Sequence, residues 1–479
     1  IRRRRLADLP VVRRKRRIPA GNVPPRHGGA RAARDFGRAR PHADAVASLP
    51  VGGLTIGFRR DAAMPGTRAA TFHVSPKHAA VRCPDTVCMN PTDPIAAVTH
   101  RDPYPYYAAL VDGPPLAFDA TLGLWVASRA AAVTAVLGHP ACRVRPLDAP
   151  VPPALRGTTA GALFGELVRM NDGVLRHDVP KQALRTAFAP IDPAALRDRA
   201  AQVAARRLPA PGDAGALNAW CMTVPVCAVA DLLGFDETQL DGIAAQVVDF
   251  VAALSPLSDA AALARASDAA RALLDRMTER VARTHAHDGT LVAAVQQAAR
   301  ASGWQASGAL VANLVGLLSQ TCEATAAWLG NTLVAWHGEA GANAARVTPD
   351  DAALDAFVGE VGRFDSPVQN TRRFVASRST IEGVTVEAGD AILVVLAAAN
   401  RDPAVHRDPQ RFMPGRAAGP NFGFGTGPHG CPGERIARAV TAGAFGAWLR
   451  AGGVPPRDGL AWDYRASTNV RMPKFDAAR

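Results

Sequence analysis

The stretch FGFGTGPHGCPG, Phe422–Gly433, brings one cysteine, Cys431, to the start of a helix that the periodicity predicts from Glu434 to about Arg450. Pro432 suits the first helical turn, where its missing N–H costs nothing. A cysteine at this place lies near unpaired backbone N–H groups and the positive end of the helix dipole, which favours the thiolate. The glycines let backbone amides approach the sulfur. Such a thiolate can bind a soft metal ion or act as a nucleophile.

Several kinds of site compete for this loop. Gly425-x-Gly427-x-x-Gly430 matches a dinucleotide fingerprint in form, but no apolar strand precedes it and no βαβ unit surrounds it. A zinc site needs further Cys or His ligands at fixed spacing, and only His429 is nearby. The sequence also cannot assign His429 as the base of a nucleophilic cysteine. A single thiolate suits a metal whose other ligands come from a macrocycle, as in haem.

The chain resembles the bacterial cytochrome P450 monooxygenases at every fixed position of their haem-binding signature: Phe424, Gly427, His429, Cys431 and Gly433. The resemblance continues upstream. Glu360-Val-Gly-Arg363 is similar to the family's Glu-x-x-Arg pair, Arg373 follows it, and NRDPAVHRDP over 400–409 continues the bacterial pattern in order. Glu-x-x-Arg alone is an ordinary i,i+3 pair on a helix, but in this order the match is specific.

The resemblance implies a mainly α protein with small β-sheets, a single catalytic domain that holds haem b (iron protoporphyrin IX) between a long central helix and the cysteine loop. It implies that Cys431 is the axial iron ligand, that Arg373 and His429 contact the haem propionates, and that Glu360 and Arg363 form a buried structural pair. A weaker match over 171–190 places His177 at the family's propionate-binding histidine. Lys181 stands where the family usually has arginine, and it supplies charge without a bidentate fork.

The helix predicted over 308–336 matches the central helix that crosses the oxygen-binding face. The family usually carries Ala-Gly-x-(Asp/Glu)-Thr there, whereas this chain reads Gln320-Thr321-Cys322-Glu323-Ala324-Thr325. Glu323 fills the acid position and Ala324 the alcohol position. Because Thr321 and Thr325 are spaced i,i+4 and share a helix face, either hydroxyl could hold the water of a proton relay, and we assign Glu323, Thr325 and Thr321 as the catalytic residues.

The family implies a haem-dependent oxidoreductase, a monooxygenase that inserts one oxygen atom from O2 into a substrate. We expect a small, partly hydrophobic organic substrate and electrons from a separate ferredoxin or flavodoxin-type donor, with Arg435 and Arg438 on the docking face. Two alternatives stay open because of Ala324. One is a peroxide-using haem-thiolate enzyme, and the other is a non-catalytic haem-binding paralogue.

Charged residues are distributed unevenly along the 479-residue chain. Residues 1–88 contain 19 of the 55 Lys/Arg and 5 of the 42 Asp/Glu, so 89–479 carries a net charge of −1 although the whole chain carries +13. We predict that 1–88 is a basic extension, disordered or foreign to the native protein, and that 89–479 is the haem domain, with no nucleic-acid or membrane partner. Seven sparse, irregularly spaced cysteines fit a reducing cytoplasm rather than a disulfide framework.

Helices outnumber strands in the predicted elements. Compact apolar runs predict strands over 122–127 and 391–396, and a hairpin over 380–388 that turns near Glu382–Gly383. Apolar spacing of 3.6 residues predicts helices over 128–138, 181–188, 192–207, 259–284, 308–336, 350–364 and 433–450.

Overall fold

The computed structural model describes residues 90–254, 258–304, 307–343, 350–453 and 461–476. The predicted extension 1–88 lies outside these residues. All described residues belong to one compact unit, Lys77–Arg479.

Thirteen helices and nine strands make up the described part of the chain, which confirms a mainly α fold with small sheets. The helices are α1 (Tyr104–Asp112), α2 (Ala130–Gly138), α3 (Thr159–Glu166), α4 (Val179–Phe188), α5 (Pro193–Ala205), α6 (Ala214–Leu232), α7 (Glu237–Ala252), α8 (Ala260–Arg283), α9 (Leu291–Ser302), α10 (Ser307–Asn343), α11 (Asp351–Phe364), α12 (Leu396–Ala399) and α13 (Glu434–Arg450). The strands are β1 (Leu116–Asp119), β2 (Leu124–Ala127), β3 (Cys142–Arg143), β4 (Thr371–Val375), β5 (Ser379–Ile381), β6 (Val384–Val386), β7 (Ala391–Val394), β8 (Ala461–Tyr464) and β9 (Pro473–Asp476).

The largest sheet has the order β1-β2-β7-β4-β3. Only β2 and β7 run parallel; the other neighbours are antiparallel. The predicted hairpin is β5–β6, and its turn holds Glu382 and Gly383 at φ of 50° and 76°. A positive φ at a non-glycine residue is uncommon, and the tight connection between the strands requires it here.

The core is mostly helical. Its largest apolar cluster draws buried residues from α3, α4, α6, α7, α8, α9 and α10. Helix α10 runs through this cluster, with Leu314, Val315 and Leu318 at most 1% exposed. Helix α6 alone, among the residues that the structure describes, is long and apolar enough to cross a membrane, and most of its apolar stretch is buried against the rest of the protein.

Helix α13 sets the position of the cysteine loop. It packs closely against α5 at Gly443, where a Cβ atom would lie 2.3 Å from the carbonyl oxygen of Arg197. Only glycine lets the two helices come this near. The start of α13 is thereby fixed against the core, and Cys431 lies three residues before it.

Candidate haem-thiolate site

The cysteine loop is held by its own backbone. The Cys431 N–H donates to the carbonyl of Phe424 at 2.8 Å, and the Gly433 N–H donates to the Cys431 sulfur at 3.3 Å. Gly425 and Gly427 have φ of 66° and 67°, conformations that favour glycine. At Gly427 a Cβ would meet the backbone at the end of α2 at 3.4 Å. The phenyl ring of Phe424 packs on Trp328 of α10, with centroids 5.4 Å apart.

Cys431 differs from the other cysteines of the described region. Its side chain is accessible, whereas Cys142, Cys221, Cys227 and Cys322 are buried and unpaired. Burial is nonetheless the largest influence on the Cys431 thiol, and it raises the pKa above the usual value. The Gly433 amide, Lys181 and Arg169 oppose this rise without overcoming it.

The Gly433 amide at the helix start favours the thiolate, as the sequence predicts, but burial acts more strongly in the opposite direction. Desolvation outweighs the amide hydrogen bond, and the free sulfur keeps its proton. A coordinated metal ion reverses this balance, because binding to a cation removes the thiol proton. In the described part of the chain, no group of three or more His, Cys, Asp and Glu side chains could hold a metal ion.

Two of the predicted propionate contacts form one cluster. The imidazole rings of His177 and His429 stack with centroids 3.9 Å apart. Asp178 contacts His177 Nδ1 at 2.8 Å, and Asp172 contacts His429 Nε2 at 3.1 Å. The other nitrogen of each ring, His177 Nε2 and His429 Nδ1, is buried without a hydrogen-bond partner.

Arg373 on β4 has the same character. It is 6% exposed, and its Nη1 donates to the carbonyl of Arg372 at 2.8 Å, while its buried Nε has no partner. Burial lowers the pKa of Arg373, and Asp172 opposes that shift. Buried nitrogens that lack partners are uncommon in folded proteins and call for an acceptor. Arg373, His177 and His429 thus fit a group that carries carboxylates, as haem does.

Lys181 makes a different contact. Its Nζ donates to the carbonyl of Gly430 at 2.7 Å, so it ties α4 to the cysteine loop. Burial lowers the pKa of Lys181 to about 8, and the nearby Cys431 opposes that shift. Lys181 therefore binds the backbone of Gly430, the residue that precedes Cys431. Its predicted contact with a propionate stays a prediction.

Glu360 and Arg363 form the predicted buried pair. Arg363 Nε and Nη2 donate to the two carboxylate oxygens at 2.9 and 2.7 Å, and both side chains are 5% exposed. Arg363 Nη1 also donates to the carbonyls of Asn400 and Pro409, and the Met413 N–H donates to Glu360. The pair thus fastens the 400–413 segment to α11.

On α10 the three predicted catalytic residues have different surroundings. Glu323 and Thr321 are half-buried, whereas Thr325 is only 2% exposed. The Thr321 hydroxyl donates to the Leu317 carbonyl at 2.7 Å, within its own helix. Burial raises the pKa of Glu323, although Arg169 and Arg465 both oppose the rise. Glu323 therefore holds its proton more strongly than a carboxyl in water.

Comparison with known proteins places these features in a family. The family model described as Cytochrome P450 matches residues 352–451. The 20-oxo-5-O-mycaminosyltylactone 23-monooxygenase of Streptomyces fradiae is 29% identical over 82% of this chain and 85% of its own length. Cytochrome P450 107B1 of Saccharopolyspora erythraea is 27% identical over 51% of this chain. The chain spans 58% of the length of that relative. The chain is therefore similar to cytochrome P450 proteins, in the segment that the family model matches and along most of the Streptomyces relative.

Solved cytochrome P450 structures share the fold. P450BioI, crystallised in complex with an acyl carrier protein ligated to hexadec-9Z-enoic acid, matches with a TM-score of 0.65 at 19% identity, covering 78% of this chain and 97% of its own. CalO2 matches with a TM-score of 0.63 at 24% identity, covering 82% of this chain and all of its own. The named relatives support a cytochrome P450 monooxygenase, and family members bind haem through a cysteine thiolate.

Sequence patterns did not predict that two arginines, Arg169 and Arg465, influence Glu323. Arg169 and Arg465 are two of 55 basic residues in the chain, they lie in no motif, and they are almost 300 residues apart. Only the folded P450 domain brings them to the same acid. No periodic or motif signal marks such a pair.

The predicted docking arginines also differ from each other. Arg438 makes two hydrogen bonds to the carboxylate of Asp355, at 2.7 and 2.6 Å, so it is already paired. Arg435 is exposed and forms no ion pair within the described ranges. It borders a surface pocket together with Arg185, Phe188, Leu196, Pro432 and Ile436. Apart from Arg185 and Arg435, the side chains that line the pocket are apolar.

Proposed function

We propose that this P450 is a cytoplasmic, haem-dependent monooxygenase that inserts one oxygen atom from O2 into a small, partly hydrophobic organic substrate. The observation that carries the proposal is the accessible side chain of Cys431, whose loop lies against α10 through Phe424, while the other free cysteines of the described region are buried. Bound haem supplies reductive activation of dioxygen, and an axial thiolate favours cleavage of the O–O bond.

The chain's own residues bind and orient the cofactor in this proposal. Cys431 would hold the haem iron through its sulfur, and Phe424, Gly427 and Gly433 shape the loop around it. His177, Arg373 and His429 offer unpartnered buried nitrogens to the propionates. Lys181 holds the loop at Gly430. Glu360 and Arg363 keep the 400–413 segment in place and take no part in the chemistry.

Carbon monoxide tests the axial ligand. We expect the reduced protein to show the Soret shift of a thiolate-ligated haem on addition of carbon monoxide. Cys431→Ser should lose that shift, whereas Cys142→Ser, which removes a buried cysteine on β3, should keep it. A Cys431→Ser protein with the full shift would overturn the assignment.

Proton delivery rests on Glu323, Thr321 and Thr325 in the proposal. Burial raises the pKa of Glu323, so this carboxyl favours its protonated form more than a carboxyl in water does. The half-buried Thr321 is better placed than the buried Thr325 to hold a relay water. Replacement of both threonines by valine should lower turnover and raise the share of reductant lost to peroxide. Unchanged coupling in that variant would rule the relay out.

Peroxide use is the second candidate, because Ala324 stands where the family has its alcohol. Product formation with hydrogen peroxide alone should be compared with product formation with a ferredoxin, a ferredoxin reductase and NADPH. A higher rate with peroxide would favour the second candidate. The absence of product under both conditions, for substrates that shift the iron spin state, would point to a non-catalytic haem protein.

The electron donor is an acidic ferredoxin or flavodoxin in this proposal. Arg185 and Arg435 are exposed, lie at the rim of the same pocket and form no ion pair in the described region. An acidic partner suits them, and its attraction weakens as salt is added. Arg435→Glu should therefore slow reduction of the iron and flatten its salt dependence. Arg276→Glu, on α8, serves as the control with the same change of charge. Equal effects of the two variants would contradict this docking face.

A further inference from the structure

Asn400 is a fully buried polar residue that connects the core to the start of the cysteine loop. It directly follows α12 and is 0% exposed. Its side-chain Oδ1 accepts a hydrogen bond from the Phe422 N–H at 2.7 Å. Its Nδ2 donates to Ser366 Oγ at 2.6 Å and to Asn421 Oδ1 at 3.1 Å. Asn400 thus contacts the chain where the cysteine loop begins.

Helix α11 holds Asn400 from the other side. The Asn400 carbonyl accepts a hydrogen bond from Arg363 Nη1 at 2.9 Å. Ser366, which is 1% exposed, accepts from Asn400 and donates to the carbonyl of Gly362 at 3.0 Å. Gly362 and Arg363 both belong to α11. Asn400 therefore lies between the buried Glu360–Arg363 pair and the cysteine loop.

The orientation of the Asn400 amide is determined by its neighbours. A backbone N–H can only donate, so the atom that faces Phe422 must be the amide oxygen. Asn421 Oδ1 accepts from the Gly423 N–H at 3.1 Å, so the Asn400 atom that faces it must be the amide nitrogen. Both hydrogens of that nitrogen are used, one toward the core and one toward the loop. An aspartate at this position could not donate to either side.

Backbone hydrogen bonds continue from this contact to the cysteine. The Phe424 N–H donates to the Asn421 carbonyl at 3.2 Å, and the Phe424 carbonyl accepts from the Cys431 N–H at 2.8 Å. Asn421 is itself held by Asn400. A displacement of Asn421 would therefore reach Cys431 through these two backbone hydrogen bonds.

We infer that Asn400 is a positioning residue that keeps the cysteine loop in the geometry in which Cys431 binds the haem iron. The inference rests on the proposed monooxygenase function and adds a residue that acts on the sulfur through the loop backbone. The side chain of Asn400 makes three hydrogen bonds, and two of them go to the loop. Without these bonds the loop can leave its position at a smaller free-energy cost than unfolding of the helical core.

Two urea midpoints measured on the reduced carbon monoxide complex of the holoenzyme test the inference. One is the urea concentration at which the thiolate-type Soret band is half lost, and the other is that at which the helical circular dichroism is half lost. Asn400→Ala should lower the first midpoint more than the second, so the difference between the two midpoints grows. Without urea, we expect the ratio of thiolate-ligated to other haem to fall about fivefold or more, roughly the effect of losing one buried hydrogen bond.

Asn313→Ala is the matched control. Asn313 is 2% exposed, and its side chain likewise accepts from a backbone N–H, that of Val168, and donates to the carbonyls of Glu166 and Ala309, all at 2.8 Å. None of these bonds goes to the cysteine loop. Asn313→Ala should therefore lower both midpoints together and leave their difference unchanged. An equal difference in the two variants would make Asn400 a structural residue only and would overturn the inference.

A milder variant decides the question if Asn400→Ala does not fold. Asn421→Ala removes the acceptor on the loop side and leaves Asn400 bound to Ser366 and Phe422. It should increase the difference between the two midpoints in the same direction, by less than Asn400→Ala does. If Asn400→Ala does not fold, an unchanged difference in Asn421→Ala would refute the inference.

The carbon monoxide spectrum of the wild type separates this inference from the proposed function. A wild-type protein without a thiolate-type band would contradict the proposed function. A wild-type protein with that band, together with an Asn400→Ala protein whose two midpoints move in parallel, would contradict only the inference.

Discussion

At the scale of single residues, Glu323 is the clearest case of a group whose function opposes stability. Ionisation of a buried carboxyl is unfavourable, and the raised pKa expresses that cost. A substitution that removes the charge should therefore stabilise the fold while it removes the proposed proton donor.

We expect Glu323→Gln to be more stable than the wild type near neutral pH, by an amount that depends on pH. At pH values below 4.5, the usual pKa of a glutamate, the carboxyl is protonated in both the folded and the unfolded chain. Glu323 then adds no pH dependence to the free energy of unfolding. Above pH 4.5, the unfolded chain releases the proton of Glu323 at a lower pH than the folded chain does. The free energy of unfolding of the wild type therefore falls as the pH rises through the raised pKa of the folded state. Urea unfolding of both proteins across pH 4 to 8 measures this. A difference that does not vary with pH would refute the explanation.

The Glu360–Arg363 pair predicts a large loss of stability when one partner is removed. Arg363→Gln leaves the Glu360 charge buried and frees the carbonyls of Asn400 and Pro409. We expect the free energy of unfolding to fall by about 3–5 kcal/mol. Arg438→Gln breaks a half-exposed pair with Asp355 and should cost about 1 kcal/mol or less. Equal losses in denaturant unfolding would show that burial does not matter here.

At the scale of elements, a close contact between α5 and α13 can be tested with two glycines. Gly443→Ala would place a methyl group 2.3 Å from the Arg197 carbonyl, and we expect it to destabilise by about 1–3 kcal/mol through overpacking. Gly242→Ala, in the exposed interior of α7, meets nothing within 4 Å and should stabilise by about 0.5–1 kcal/mol. Thermal unfolding compares the two. A stable Gly443→Ala protein would mean that α13 can shift.

Two helices with one apolar face were predicted from the sequence almost to the residue. Predicted helices 259–284 and 350–364 differ from the observed α8 and α11 by one residue at each end or less, because polar and apolar positions alternate regularly there. Helix α6 was missed because it is apolar on nearly all sides and contains Pro225, so it shows no periodicity. The predicted strand over 391–396 ends at Val394, because α12 begins at Leu396.

The candidate site was predictable only where its residues share a short segment. The cysteine loop and the Glu360–Arg363 pair have local spacing that a sequence displays directly. The stacking of His177 on His429 needs the helical turn Val174–Asp178, which precedes α4, to meet the cysteine loop, and the two histidines are 252 residues apart in the chain. That contact and the approach of Arg169 and Arg465 to Glu323 arise from tertiary packing, which local patterns do not encode.

At the scale of the whole molecule, the described core and the candidate site use one continuous part of the chain. The buried apolar clusters draw their residues from Ala97 to Phe475, and the proposed haem contacts lie between His177 and Gly433. The strong positive charge belongs elsewhere, because 89–479 is close to neutral. Folding and haem binding should therefore be separable from the basic segment 1–88.

We expect a protein that begins at Met89 to bind haem and to give the same carbon monoxide spectrum as the full chain. Its denaturant midpoint should match that of the full chain, since a midpoint follows the surface buried on folding and the stability of the core. Its net charge should fall from +13 to −1, which isoelectric focusing detects. Loss of haem from the shorter protein would show that the first 88 residues contribute to the fold. An unchanged spectrum with weaker binding to a polyanion such as heparin would assign the positive charge of the full chain to those residues.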